Sequence, residues 1–135
     1  MKRAWIWMLV LVLLLSACTP LPPSNTLRKN KDGYTDITVE ELATMLKNKD
    51  FVLVNVHVPY AGEIPQTELF IPFDDIKALQ AQLPDKGAKI VLYCRSGGMS
   101  TSSAEKLAKL RYTNLYEVDG GMRAWSAAGH EPLRR

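Results

Sequence analysis

Two short runs constrain the fold more than anything else in the chain. Residues 51–58 contain Phe51, Val52, Leu53, Val54, Val56 and Val58, and residues 89–93 contain Ile90, Val91, Leu92 and Tyr93. Both are β-rich and too apolar for a strand with one wet face, so buried parallel strands are expected. Helical patterns flank them. Thr38 and Glu41 form a capping box ahead of Val39, Leu42, Ala43, Met45 and Leu46, and the turn Asn48-Lys49-Asp50 closes that helix. Asp74 is expected to cap a second helix to about residue 83, and Ser100 a third to about residue 111. Residues 122–128 make a last helix, with Gly129 just past its end. Residues 69–73 fit a short strand, 114–118 a stronger one, and 59–66 a loop. Strands alternating with helices at this spacing predict an α/β fold, a central, mostly parallel sheet with helices on both faces.

Ligand sites in such sheets lie beyond the carboxyl ends of the strands. Cys94 falls there, directly after Tyr93. It opens the small, polar stretch Arg95-Ser96-Gly97-Gly98-Met99-Ser100, and a helical pattern follows. Loop amides and the positive end of a helix dipole converge on the centre of such a turn, which suits a thiolate or an anion attached to it. A thiol of pKa about 8.5 is only a few per cent ionised at pH 7, and a shift of about two units needs roughly 2.7 kcal/mol of differential stabilisation. Gly97 and Gly98 let the backbone approach closely.

At 135 residues the chain suggests one domain. Its formal charge is +3; without Lys2 and Arg3, which lie in an N-terminal leader, +1 remains. That balance argues against a nucleic-acid binder working by phosphate neutralisation. His57, His130 and Cys94 show no ligand spacing, so neither a metal nor a cofactor is expected. Ser96, Ser100, Thr101, Ser102 and Ser103 have no base spaced beside them and are expected to serve the loop and the helix cap.

The N-terminal residues read as targeting. Lys2 and Arg3 precede an apolar run over 4–15, twelve residues where a bilayer span needs roughly 20. Leu15-Ser16-Ala17-Cys18 resembles the lipobox of bacterial lipoproteins. That resemblance implies a signal peptide over 1–17, a lipidated Cys18 and anchoring to a membrane, facing outside the cytoplasm. Because Thr19 is not an aspartate, it also implies the outer membrane where there are two. Residues 18–33, with Pro20, Pro22, Pro23 and the patch Arg28-Lys29-Asn30-Lys31, read as a tether that could extend roughly 50 Å at about 3.3 Å per residue. The domain is expected over 34–135. A lipidated Cys18 leaves Cys94 without a partner in the chain, an unpaired thiol in an oxidising compartment.

Four segments together resemble a rhodanese (sulfurtransferase) domain, over about residues 35–132. They are Val54-Asn55-Val56-His57; the run from Ile90 through Cys94 to Ser100; Tyr112-Thr113-Asn114-Leu115-Tyr116; and Asp119-Gly120-Gly121-Met122-Arg123-Ala124-Trp125-Ser126-Ala127-Ala128-Gly129. The resemblance implies a three-layer α/β fold and a sulfurtransferase. Cys94 would take a sulfane sulfur from thiosulfate, polysulfide or a similar donor, become a persulfide, and pass the sulfur to a thiol or cyanide. Arg95, Ser96, Gly97, Gly98, Met99 and Ser100 would hold the substrate, with His57 a possible auxiliary donor or acid. Three departures stand out. Met99 occupies a position where many members have arginine, Asn55-Val56-His57 replaces Asp-Val-Arg, and 59–68 only partly echoes Gly-His-Ile-Pro-Gly-Ala, at Glu63-Ile64-Pro65. They motivate a second expectation, a non-catalytic module recognising an anion, a persulfide or a protein partner. A cysteine phosphatase is disfavoured, because Ser100 stands six residues after Cys94, where that chemistry needs arginine.

Overall fold

The computed structural model describes residues 27–135. The leader, Cys18 and most of the tether therefore lie outside the described residues. Among the described residues five strands and four helices follow in the order β1 (Thr35–Ile37), α1 (Val39–Leu46), β2 (Val52–Asn55), β3 (Leu69–Phe70), α2 (Ile76–Gln82), β4 (Ile90–Tyr93), α3 (Gly98–Lys109), β5 (Leu115–Val118) and α4 (Gly121–Ala127). The sheet runs in the order β1-β5-β4-β2-β3, and every pairing is parallel. No helix among the described residues is long and apolar enough to cross a membrane.

β4 is the middle strand, and all four of its residues are buried. Successive side chains alternate between faces. Ile90, Leu92 and Cys94 join one apolar cluster with Leu79 of α2 and Leu107 of α3. Val91 and Tyr93 join the other, with Leu42 of α1 and Trp125 of α4. Helices thus cover both faces, which is why β4 has no polar alternation. The expected three-layer arrangement is the one found.

Several boundaries differ from expectation. β1 went unforeseen, since three residues are too few to show a period. The second helix is capped by Asp75, whose carboxylate accepts the Ala78 amide at 2.9 Å, and not by Asp74. The third begins at Gly98, after a left-handed Gly97 (φ 107°), so Ser100 lies inside its first turn and is no cap. The capping box at α1 is present: Glu41 N–H donates to Thr38 Oγ1 at 3.1 Å and Thr38 N–H to Glu41 Oε2 at 2.8 Å. The last part of the tether bonds to the domain. Lys29 Nζ donates to the Thr113 carbonyl at 2.7 Å, and Asn30 Nδ2 to Asp36 at 3.0 Å.

Two connections position the carboxyl end of β4. The Tyr93 hydroxyl accepts the Ile64 amide at 2.9 Å and pairs with Thr67 Oγ1 at 2.7 Å, pinning the loop that follows β2. Burial pushes this phenol up to about 12, so it stays neutral. At the start of α4, the amides of Met122 and Arg123 donate to the carbonyls of Cys94 and Arg95, each at 3.0 Å. Gly121 makes that approach possible: it has φ +51°, and a Cβ there would lie 2.2 Å from the Cys94 oxygen.

Candidate active site

Cys94 leaves β4 at the centre of the sheet and is 1% exposed. It is the free cysteine among the described residues. The loop folds back so that Gly97 N–H donates to Cys94 Sγ at 3.0 Å and the Ser100 hydroxyl stands 3.4 Å from it. Burial pushes the thiol up. The Ser100 hydroxyl and the amides of Ser100, Ser96 and Gly97 outweigh that effect, so the thiol is held below its usual range. The left-handed Gly97 turns those donors inward, at the foot of a twelve-residue helix whose dipole adds to them.

The other residues singled out from the sequence take distinct places. Ser96 is exposed on the loop, and Gly98 is exposed at the first position of α3. Met99 is partly buried and packs against the apolar cluster under α3. Its backbone carbonyl accepts the Ser103 hydroxyl at 3.2 Å. Arg95 is exposed and lines a cavity of about 460 Å³ with Tyr60, Ala61, Gly62, Arg134 and Arg135. An adjoining cavity of about 340 Å³ shares Ala61, Arg95 and Arg134 and adds Arg123. Among the described residues, Arg95, Arg123 and Arg134 form no ion pair. Arg135 pairs with the buried Glu63 at 2.8 Å. The end of the chain reaches this place because Leu133 and Glu63 form a two-way backbone bridge, at 2.7 and 2.8 Å.

The Asn55-Val56-His57 departure has its own internal bracing. Asn55 is fully buried; its Nδ2 donates to the Gly62 carbonyl at 3.0 Å, and its Oδ1 accepts the His57 amide at 3.0 Å. One neutral amide thus ties the end of β2 to the loop beyond it. His57 is half-buried. Burial and, after it, the charge of Arg95 lower its pKa, so it is neutral at pH 7.

Glu117 on β5 was not foreseen from the sequence. This residue is 1% exposed, and its Oε1 lies 2.5 Å from Ser100 Oγ. Burial pushes its carboxyl up to about 7; the hydrogen bond from Ser100 opposes this, and Asp119 and Asp36 add to it. The signal was available, because strand alternation puts residue 117 on the same face as Leu115, towards α3. An acid in that position inside a covered parallel sheet is anomalous. Arg123 and Arg134 were missed too, and no local pattern marks them.

This is a doubly covered parallel domain that offers peptide amides to a single cysteine sulfur at the end of its central strand. Residues 38–128 match the rhodanese-like domain family, and the chain belongs to it. It is 26% identical over 106 residues to "Thiosulfate sulfurtransferase GlpE" of Pseudoalteromonas translucida (strain TAC 125), covering 76% of this chain and 99% of that protein. It is 31% identical over 98 residues to a protein of Allochromatium vinosum named "Sulfurtransferase", covering 70% of this chain and 90% of the relative. A solved rhodanese-like domain protein from Staphylococcus aureus superposes with a TM-score of 0.61 at 30% identity, covering 73% of this chain and 95% of that one. These relatives support a sulfurtransferase-type function.

Proposed function

We propose that the protein moves sulfane sulfur through a persulfide on Cys94. The Cys94 thiolate attacks the outer sulfur of the donor, and the S–S bond of the donor breaks. The leaving group, sulfite in the case of thiosulfate, departs with the electron pair. An acceptor thiolate or cyanide then attacks the outer sulfur of the persulfide and Cys94 leaves as thiolate, so no external oxidant or reductant is needed. The convergence of the Ser96, Gly97 and Ser100 amides on one sulfur carries this reading. Those amides suit the thiolate before transfer and the anionic outer sulfur after it. Arg95, with Arg134 and Arg123 in the adjoining cavities, suits an anionic donor. Intact-mass spectrometry after incubation with thiosulfate, polysulfide or a thiosulfonate tests the proposal. The mass of one sulfur is expected on the wild type and none on Cys94→Ser; no gain on the wild type with any of the donors would refute it.

The 1% exposure of Cys94 favours a second reading, a module that binds an anion or partner without turnover. On that reading Cys94 stays unmodified by every donor, and Cys94→Ser retains binding of a sulfur oxyanion. We further propose that the protein acts at the cell envelope, anchored by lipid on Cys18, because Leu15-Ser16-Ala17-Cys18 resembles a lipobox. Incorporation of a palmitate analogue is expected in the wild type and lost in Cys18→Ser; equal labelling of the two would refute the anchor.

A further inference from the structure

Ser100 Oγ has three neighbours able to accept its proton: Glu117 Oε1 at 2.5 Å, the Gly97 carbonyl at 3.0 Å and Cys94 Sγ at 3.4 Å. A hydroxyl carries one proton and can serve only one of them at a time. The Gly97 carbonyl already accepts the Thr101 amide at 2.9 Å, so it does not depend on Ser100. The contest is therefore between the sulfur and the carboxyl. If Ser100 turns its proton to the sulfur, an ionised Glu117 would face the serine lone pairs at 2.5 Å with no hydrogen between them. Contact at that distance requires Glu117 to hold a proton and donate it.

We propose that Glu117 is a positioning residue for Cys94, exchanging one proton with the sulfur through the Ser100 hydroxyl. The inference rests on Cys94 being the working sulfur, as proposed above. In one arrangement Cys94 is a thiol, it donates to Ser100, and Ser100 donates to an ionised Glu117. In the other, the thiol proton has passed to Ser100 Oγ while the serine proton has passed to Glu117 Oε1. An S–H bond and an O–H bond break, two O–H bonds form, and no electrons change hands. The assembly carries one negative charge in both arrangements. Only the second leaves a thiolate with a donor aimed at it.

The surroundings favour that second arrangement. Among the described residues no cation pairs with Glu117. The titratable groups facing it are Asp36 on β1, Asp119 just past β5, and Cys94 itself, while α3 presents the Ser100 hydroxyl. Carboxylate oxygens of Asp36, Glu117 and Asp119 lie within 4.8 Å of one another, so a third negative charge there is disfavoured. The carboxyl also sits directly beneath the cysteine loop: a Cβ on Gly97 would lie 3.8 Å from Glu117 Oε1.

Two groups linked in this way titrate together, in steps belonging to the pair. The test is the rate at which iodoacetamide labels Cys94 in the full chain, read by mass spectrometry on the Cys94 peptide from about pH 5 to about pH 10. The wild-type rate is expected to rise in two stages more than about one pH unit apart. Glu117→Gln keeps a donor towards Ser100 but cannot ionise. It is expected to show a single stage, at or below the lower wild-type stage. Ser100→Ala should erase the difference between glutamate and glutamine. A single stage in the wild type, or superimposable wild-type and Glu117→Gln profiles, overturns the proposal; the wild-type arm holds even if the variant does not fold. The labelling rate is independent of sulfur loading. Loading with one-stage labelling sinks the relay and spares the transferase; two-stage labelling without loading does the reverse.

Discussion

Ser100 shows how much one hydroxyl decides here. It is the side-chain donor to Cys94 Sγ, at 3.4 Å, and hydrogen bonds to charged groups are worth about 1.5–3 kcal/mol. Ser100→Ala is therefore expected to raise the apparent pKa of Cys94 by about one unit and slow its alkylation at neutral pH roughly tenfold, as a stopped-flow labelling series would read. Glu117 gives a second outcome, in stability. Its folded-state pKa is about 7 against an ordinary 4.5, so protonation favours the folded state. That contribution is complete below pH 4.5 and is lost as the pH rises through about 7. Urea unfolding at a series of pH values should show Glu117→Gln gaining on the wild type across that window and levelling off near 3 kcal/mol, about 1.4 per unit. Parallel profiles would contradict it. At this scale the sequence exposed the cysteine and its loop because those residues are contiguous. Glu117 stands 23 positions after Cys94 and reaches it only through strand pairing. Asn55 stands where the family pattern has aspartate, and its two amide atoms bind two backbone groups that no linear pattern reveals.

Among the elements, the start of α4 matters as much as the start of α3. Its first amides hold the carbonyls of Cys94 and Arg95, and the contact depends on Gly121 lacking a side chain. Gly121→Ala would place a Cβ 2.2 Å from a backbone oxygen in a left-handed conformation. The expected cost is about 3 kcal/mol or more, with Tm falling by on the order of 10 °C and sulfur loading of Cys94 lost. Calorimetry and intact mass read the two effects separately. The strands β2 and β4 were legible because apolar runs buried on both faces have a plain signature. Helix starts were less so. Asp74 and Asp75 are adjacent candidates for one cap, and Ser100 resembles a cap because hydroxyls are common there; α3 instead begins on a left-handed glycine without a side-chain cap. β1 contributes three residues at the sheet edge, where backbone pairing with β5 decides, and not periodicity.

For the molecule as a whole, a modest net charge conceals an uneven distribution. Arg95, Arg123 and Arg134 come from the cysteine loop, α4 and the C-terminal segment, and they meet around two adjoining cavities. Their convergence is a product of topology, which is why composition alone said nothing of it. Arg123→Ala with Arg134→Ala is expected to raise KM for thiosulfate about threefold to tenfold, an effect that shrinks as salt screens the exposed charges. Labelling of Cys94 by neutral iodoacetamide should not change. Steady-state kinetics at two ionic strengths checks the first, and the labelling rate the second.

The phenol of Tyr93 has a mechanical corollary. It fastens the loop that follows β2, at Ile64 and Thr67, to the residue immediately before Cys94. Displacing that loop therefore pulls on the central strand just ahead of the sulfur, so a shift at one is transmitted to the other for as long as that hydroxyl stays in place.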